Sequence, residues 1–360
     1  MRIGIFDPYL DTLGGGERYM LAIASCLSKH HEAYVFWDDP LILNKASDRF
    51  SLDLSNVHLS ENIFSTKHFF FKRLLTSYRF DCIFFLSDGS IPFVFSKNIF
   101  IHFQFPVEWV NNRMLLNKIK LARVKQILCN SEFTKRYIDK KFGVKSVVIY
   151  PPSNIGISNQ KSKITDKKNV ILTVGRFGKL AEGRNFKKQD VLIETFKKMV
   201  DKGLSNWKLV IVISYREQDI SDIGYLKNMI GDYPIETYEN LRSDILDQKY
   251  KEAKIYWHAV GFEEDLHKHP ELAEHFGMAT VEAMARGAVP VVFDAGGQKE
   301  IVENNINGLL WDTIDELIEK TYDLTRNTKL WKTMSDKAIK RAHAFGGNDR
   351  FCKQINAFIL

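Results

Sequence analysis

Short apolar runs alternate along the chain with stretches whose apolar residues recur at helical spacing. Arg2-Ile3-Gly4-Ile5-Phe6 is a compact run, the loop Leu13-Gly14-Gly15-Gly16-Glu17 follows, and apolar residues then return at Met20, Leu21, Ile23, Ala24 and Leu27. Residues 33–37 form a second apolar run. Strand, glycine turn, helix and strand in that order predict the βαβ unit of a parallel sheet. Further strands are predicted at 82–86, 99–101, 126–129 and 146–150. A helix over 132–141 is capped by Asn130-Ser131. A second series begins at 170–174 and continues with strands at 209–213, 255–257 and 289–293. Its helices are expected at about 187–202, 242–253 and 315–343, with an amphipathic one over 349–360.

Residues 153–169 are polar and lack an apolar period, so they predict a linker. The expected fold is therefore α/β, with two Rossmann-like doubly wound domains facing across a cleft. Residues 1–155 form the first domain and 165–345 the second. Residues 346–360 form a helix expected to pack back on the first domain. In such sheets ligands sit beyond the carboxyl ends of the strands, which directs attention to the loops that follow them.

Composition narrows the classes. The chain has 360 residues, 45% hydrophobic and 26% charged, with 26 Phe and 13 Tyr. That excludes a disordered or fibrous chain. No apolar run reaches the ~18 residues needed to span a bilayer, and Asp7 interrupts the apolar start, so no signal peptide is expected. The four cysteines, Cys26, Cys82, Cys129 and Cys352, are widely spaced. This spacing predicts neither a zinc ribbon nor a disulfide framework, and fits a reducing, cytoplasmic setting. The net charge of +7 suits nucleic acid, an anionic membrane or a phosphorylated ligand equally.

Candidate chemistry lies at the strand ends. Gly15 and Gly16 let a backbone approach an anion at a helix N-terminus, although a plain tight turn uses the same residues. Glu274-His275-Phe276-Gly277-Met278-Ala279-Thr280-Val281-Glu282 holds two carboxylates eight positions apart. With a break at Gly277 and Thr280 as N-cap, Glu274 lies in a loop and Glu282 in the first helical turn, both able to face one polyhydroxylated ligand. Arg176 ends a strand, and a basic segment with Arg184, Lys187 and Lys188 follows, suited to clamping a diphosphate. His102 ends an apolar strand of the first half, as a ligand contact or as a core histidine. Gly296-Gly297 forms another loop after a buried strand. His267 and His269 lie in a charged loop, where a solvated surface is favoured over a metal site.

Taken together, these segments resemble glycosyltransferase family 4, the retaining nucleotide-sugar transferases of GT-B architecture. Glu274 to Gly287, continuing into Pro290-Val291-Val292, resembles that family's paired-glutamate signature. Val174-Gly175-Arg176, Asn130-Ser131 with Phe133-Thr134, and Gly14-Gly15-Gly16-Glu17-Arg18 resemble its other segments. The resemblance implies that Glu274 holds donor-sugar hydroxyls, Glu282 the ribose, and Arg176 with a lysine the diphosphate. Lys187 is the best match for that lysine and Lys188 the next, because residues 181–186 read as an insertion. His275, Phe276, Gly277 and Val281 join the donor site, backbone amides at Gly16 and near Thr280 help, and His102 lies near the transferred sugar. No cofactor or obligatory metal is implied.

The implied partners are a nucleoside diphosphate sugar and a glycan or lipid-linked acceptor. The basic aromatic stretches 67–75 and 113–120 add an expected peripheral contact with an anionic membrane. The implied activity is transfer of a hexose, mannose or glucose, in polysaccharide or glycoconjugate synthesis. A nucleotide-sugar epimerase is the alternative within enzymes. A basic nucleic-acid-binding protein is the alternative outside them, and it lacks a recognition module.

Overall fold

A computed structural model describes residues 1–65, 70–110, 115–153, 167–180 and 185–359. It divides into two compact units, Met1–Pro152 with Asn348–Leu360, and Ser153–Gly347. The first carries strands β1 (Arg2–Phe6), β2 (Glu32–Phe36), β3 (Val57–Ser60), β4 (Cys82–Ser87), β5 (Asn98–Phe103), β6 (Val124–Cys129) and β7 (Val147–Val148). Their spatial order is β3-β2-β1-β4-β5-β6-β7, parallel throughout. The second unit carries β8 (Lys168–Arg176), β9 (Lys208–Ser214), β10 (Ile235–Glu239), β11 (Ala253–His258), β12 (Val289–Phe293) and β13 (Leu309–Trp311). These run in the order β10-β9-β8-β11-β12-β13, again all parallel. Each sheet starts at its centre, winds one way, then reverses. The reversal falls between β1 and β4 in the first unit and between β8 and β11 in the second, and these switch points are where crevices open in doubly wound sheets.

The central strands read as unbroken apolar runs because helices cover both sheet faces. All six residues of β4 are buried. One core cluster of the first unit gathers Ile3, Ile5 and Phe84 beneath the helix Gly15–Leu27, and another gathers Phe6, Ile83 and Phe85 on the opposite face. The last helix, Asn348–Asn356, contributes Phe351 and Ile355 to the first of these clusters. Phe351 meets Tyr19 edge-on at 5.0 Å.

Several expectations need correction. Cys26 and Cys352 form a disulfide, with Cα atoms 5.2 Å apart. Distance along the chain hid it, because the last helix returns to lie along Gly15–Leu27. The bond removes cysteine usage as an argument for a reducing compartment. The single helix expected over 315–343 is two, Ile314–Arg326 and Thr328–Phe345. Asn327 separates them, its side-chain oxygen accepting from the Leu330 N–H at 2.9 Å. The strands β3, β10 and β13 went unpredicted, the first two because they are edge strands with mixed exposure and β13 because it is only three residues long. Most of the polar segment 153–169 lies outside the described residues, but Lys168 and Asn169 already belong to β8. Among the described residues, no helix is long and apolar enough to cross a membrane.

Candidate functional site

The second unit concentrates charged groups at its switch point. β11 ends in His258, and the loop after β8 carries Lys187. A Cβ on Gly175 would lie 3.3 Å from Lys187 Cγ, so the lysine stem runs against the end of β8. Lys187 Nζ donates to Glu274 Oε2 at 2.7 Å, and His258 Nε2 lies 2.9 Å from the same oxygen. Burial works to raise the Glu274 carboxyl, but the Lys187 ammonium and the His258 hydrogen bond outweigh it and hold the group well below the usual carboxylate range. An ionised carboxylate only accepts, so His258 carries its proton on Nε2. Burial lowers the His258 imidazole, which keeps it neutral. Both bonds fall on Oε2, and among the described residues none falls on Oε1. That oxygen can accept from a ligand hydroxyl.

The loop holding Glu274 is seated on glycines. Gly297 N–H donates to Glu274 O at 2.7 Å. A Cβ on Gly296 would stand 2.1 Å from that carbonyl oxygen, and one on Gly297 would stand 2.5 Å from Phe276 Cα. Gly296 also has φ +59°, a region that favours glycine. Phe276 is 2% exposed and stacks edge-on against Phe345. His275 Nε2 lies 2.9 Å from Glu271 O, and burial lowers its imidazole too.

The following helix starts earlier than expected. It spans Met278–Ala285 with Gly277, at φ +110°, as its N-cap. Thr280 is therefore not the cap. It is buried within the first turn, where its hydroxyl accepts from Gln298 Nε2 at 3.0 Å. Val281 N–H donates to Gly277 O, which places Glu282 one residue further on, at the start of the second turn. Threonine is the stronger cap by type, but Gly277 supplies the left-handed turn from which the helix starts. Glu282 is buried. Burial raises the Tyr256 hydroxyl, and the charges of Glu274 and Glu282 both raise it further.

Lys187 and Lys188 separate cleanly. Lys188 Nζ donates to Glu264 Oε1 at 2.6 Å, the two side chains being 4% and 3% exposed. This ammonium neutralises a buried acid, whereas Lys187 reaches Glu274. Arg176 is exposed at the end of β8, and among the described residues its side chain makes no hydrogen bond or ion pair. Arg184 and the rest of 181–184 lie outside the described residues. His269 Nδ1 sits 3.0 Å from Glu271 Oε1 in a largely exposed pair. Sequence reading missed Tyr256, His258, Glu264 and Gln298. The available signal was His258 at the carboxyl end of an apolar strand.

In the first unit, Gly15 and Gly16 occupy the first turn of Gly15–Leu27, whose leading N–H groups lack intrahelical acceptors. Glu17 Oε2 accepts from Gly14 N–H. A Cβ on Gly16 would collide with the Gln104 side chain at 1.9 Å. His102 lies in β5, 1% exposed and stacked on Tyr19 at 3.8 Å. Burial pushes its pKa down to about 3. Any part it plays at a ligand is that of a neutral ring.

Two doubly wound parallel sheets, one with carboxylate, lysine and histidine gathered at its switch point, define an α/β protein of the GT-B class. The comparisons with known proteins agree. The family described as Glycosyl transferases group 1 matches residues 155–341, and Glycosyltransferase Family 4 matches 13–155. The chain belongs to the group 1 glycosyl transferases, with a family 4 domain before that region.

A GDP-Man:Man(3)GlcNAc(2)-PP-Dol alpha-1,2-mannosyltransferase of Dictyostelium discoideum is 28% identical over 257 residues, 65% of this chain and 48% of its own. The alpha-1,3/1,6-mannosyltransferase ALG2 of Saccharomyces cerevisiae is 26% identical over 54% of this chain and 43% of its own. This chain thus spans about half the length of the curated relatives it matches. Among solved structures, HepE of Anabaena in complex with UDP shares the fold at TM-score 0.71 and 18% identity, covering 100% of this chain and 99% of that one.

Proposed function

We propose that the protein is a retaining hexosyltransferase that moves mannose from a nucleoside diphosphate sugar to a hydroxyl of a lipid-linked glycan. The observation that carries this is the Lys187–Glu274–His258 constellation at the second switch point. In transfer, the bond from the anomeric carbon to the diphosphate oxygen breaks and negative charge grows on the leaving diphosphate. Arg176, free of partners among the described residues, neutralises that charge together with Lys187. Lys187 then trades its contact with Glu274 for a phosphate oxygen. Glu274 accepts from sugar hydroxyls and His258 holds it in place. The first N–H groups of Met278–Ala285 add donors to the phosphates, and Glu282 binds the ribose. The acceptor hydroxyl attacks the face the diphosphate leaves, passing its proton to the departing phosphate, so configuration is retained without a metal. His102 stays a neutral neighbour of the sugar.

Mannose as the sugar, GDP as the carrier and a lipid-linked acceptor rest on the names of the curated relatives. The donor is tested by calorimetry with GDP and UDP. GDP is expected to bind tighter, and Arg176→Ala to weaken it by about tenfold or more. Tighter UDP binding would shift the donor reading, and an unchanged affinity in the variant would remove Arg176 from the phosphate clamp. A peripheral contact with an anionic membrane, on the cytoplasmic side, completes the reading. It is supported by exposed Phe71, Leu75, Leu115 and Ile119 beside Lys72 and Lys118. Residues 66–69 and 111–114 of the two basic stretches lie outside the described residues.

A further inference from the structure

The switch point of the first unit also carries a cavity, and the donor chemistry above does not use it. Its volume is about 570 Å³, the size of a small-ligand pocket. Phe6 at the end of β1, Phe85 at the end of β4, and Phe64, Ile91 and Phe93 supply its walls. Phe6 stacks on Phe85 at 4.8 Å and meets Phe64 at 4.3 Å, so the rings are held by one another. A close-packed interior leaves few voids larger than a water molecule. An open, aromatic-walled cavity of this size suits an apolar guest.

The polar groups at the chamber identify the guest further. Arg73 and Lys120 line it. Arg73 Nε donates to Ile63 O at 3.2 Å, and its guanidinium lies over the Phe64 ring at 5.5 Å, which fixes the head at the wall. One acid, Asp88, also lines it and accepts from the hydroxyls of Ser90 at 3.0 Å and Tyr9 at 3.4 Å, against the two cations Arg73 and Lys120. The two flanking helices, Phe70–Ser77 and Leu115–Ala122, contain Lys72, Arg73, Lys118 and Lys120 and no acidic residue. They leave Phe71 and Leu115 at 75% and 72% exposure. Neighbouring exposed apolar groups beside a cationic rim mark a binding surface.

Resting on the lipid-linked acceptor proposed above, we infer that this cavity receives the isoprenoid chain of a polyprenyl diphosphate lipid, with Arg73 and Lys120 at its phosphates. The chain is buried among the phenylalanines, and the glycan end is left outside the chamber for transfer.

The test uses the full chain and farnesyl diphosphate as a soluble probe, followed by competition of a fluorescent analogue. Binding is expected, weakened about tenfold or more both by Ile91→Trp, which fills the chamber, and by Lys120→Gln at its rim. Inorganic pyrophosphate and farnesol, the two halves of the probe, are expected to compete at least about tenfold less well. Pyrophosphate competing as well as the intact probe would reduce the site to an anion patch and overturn the inference. So would binding unaltered in both variants, or probe recovered only with vesicles of anionic phospholipid. Circular dichroism checks the folding of Ile91→Trp, and Lys120→Gln, at a partly exposed position, keeps the test valid should that variant unfold. No transfer is needed for this measurement. Failure of the probe with hexosyl transfer intact sinks the cavity assignment alone, whereas binding without transfer to any acceptor sinks the enzymatic reading.

Discussion

Adding one methyl group at Gly297 tests how the donor loop is held. Gly297 has φ −69°, so alanine adopts its backbone conformation without strain. The obstacle is contact. The new Cβ would stand 2.5 Å from Phe276 Cα and 2.6 Å from His275 O, all backbone. Ordinary contact begins near 3.4 Å, so the segment holding Glu274 must retreat by about 0.9 Å, a displacement of the kind that costs about 10²-fold in rate. Overpacking of this sort destabilises by about 1–3 kcal/mol. At about 2–4 °C per kcal/mol for a unit of this size, the melting point falls by several degrees. Gly224→Ala is the matched control. It lies within the helix Ile220–Ile230, with nothing within 4 Å of its added Cβ. Helix propensity there favours alanine by about 0.5–1 kcal/mol, so this variant should melt slightly higher. Initial-rate assays and differential scanning calorimetry on both proteins decide the matter. A Gly297→Ala protein with wild-type turnover and melting point would refute the idea that these glycines seat the donor loop.

Other substitutions separate residues that look alike in the sequence. Lys188→Met takes the ammonium from a carboxylate that is 3% exposed; a loss of about 3–5 kcal/mol of stability is expected, read by denaturant unfolding. Lys187→Met should instead weaken nucleoside diphosphate binding with a smaller stability loss, because Glu274 is 17% exposed and keeps its His258 bond, and an exchange of these two outcomes would reverse the assignment. Because the folded Glu274 carboxyl sits below its ordinary value of 4.5, its stabilising effect is full above that value and is lost as pH falls through the lower folded one. The melting-point gap between wild type and Glu274→Gln should accordingly narrow in acid, and a gap independent of pH would contradict the ion pair.

How much of this was legible beforehand follows from where the signals lay. Strands such as Cys82–Ser87 and Val289–Phe293 announced themselves because burial on both faces makes them continuous apolar runs. The edge strands Val57–Ser60 and Ile235–Glu239 did not, since all but one residue of each is at least partly exposed. Spacing and residue type brought Glu274, Glu282, Lys187 and Arg176 into view, but not their partners. His258 lies 16 residues before Glu274, and the fold of the intervening loop that returns Glu274 to the end of β11 is a tertiary contact that no local spacing encodes. The Cys26–Cys352 bond was hidden for the same reason, being separated by 326 residues. The choice between Lys187 and Lys188 depended on which side chain turns inward, which is set by the left-handed turn at Lys188, φ 55°. No propensity favours that turn for lysine.

Everything proposed for the second unit turns on one carboxylate acting on the donor sugar. The decisive measurement is transfer of mannose from GDP-mannose to a dolichyl-diphosphate oligosaccharide by wild type and Glu274→Ala, with melting curves run alongside. Product from the wild type, with its α configuration seen by NMR, and a loss of about 10²-fold or more in a folded Glu274→Ala protein are expected. A folded Glu274→Ala enzyme that turns over at the wild-type rate would contradict the account.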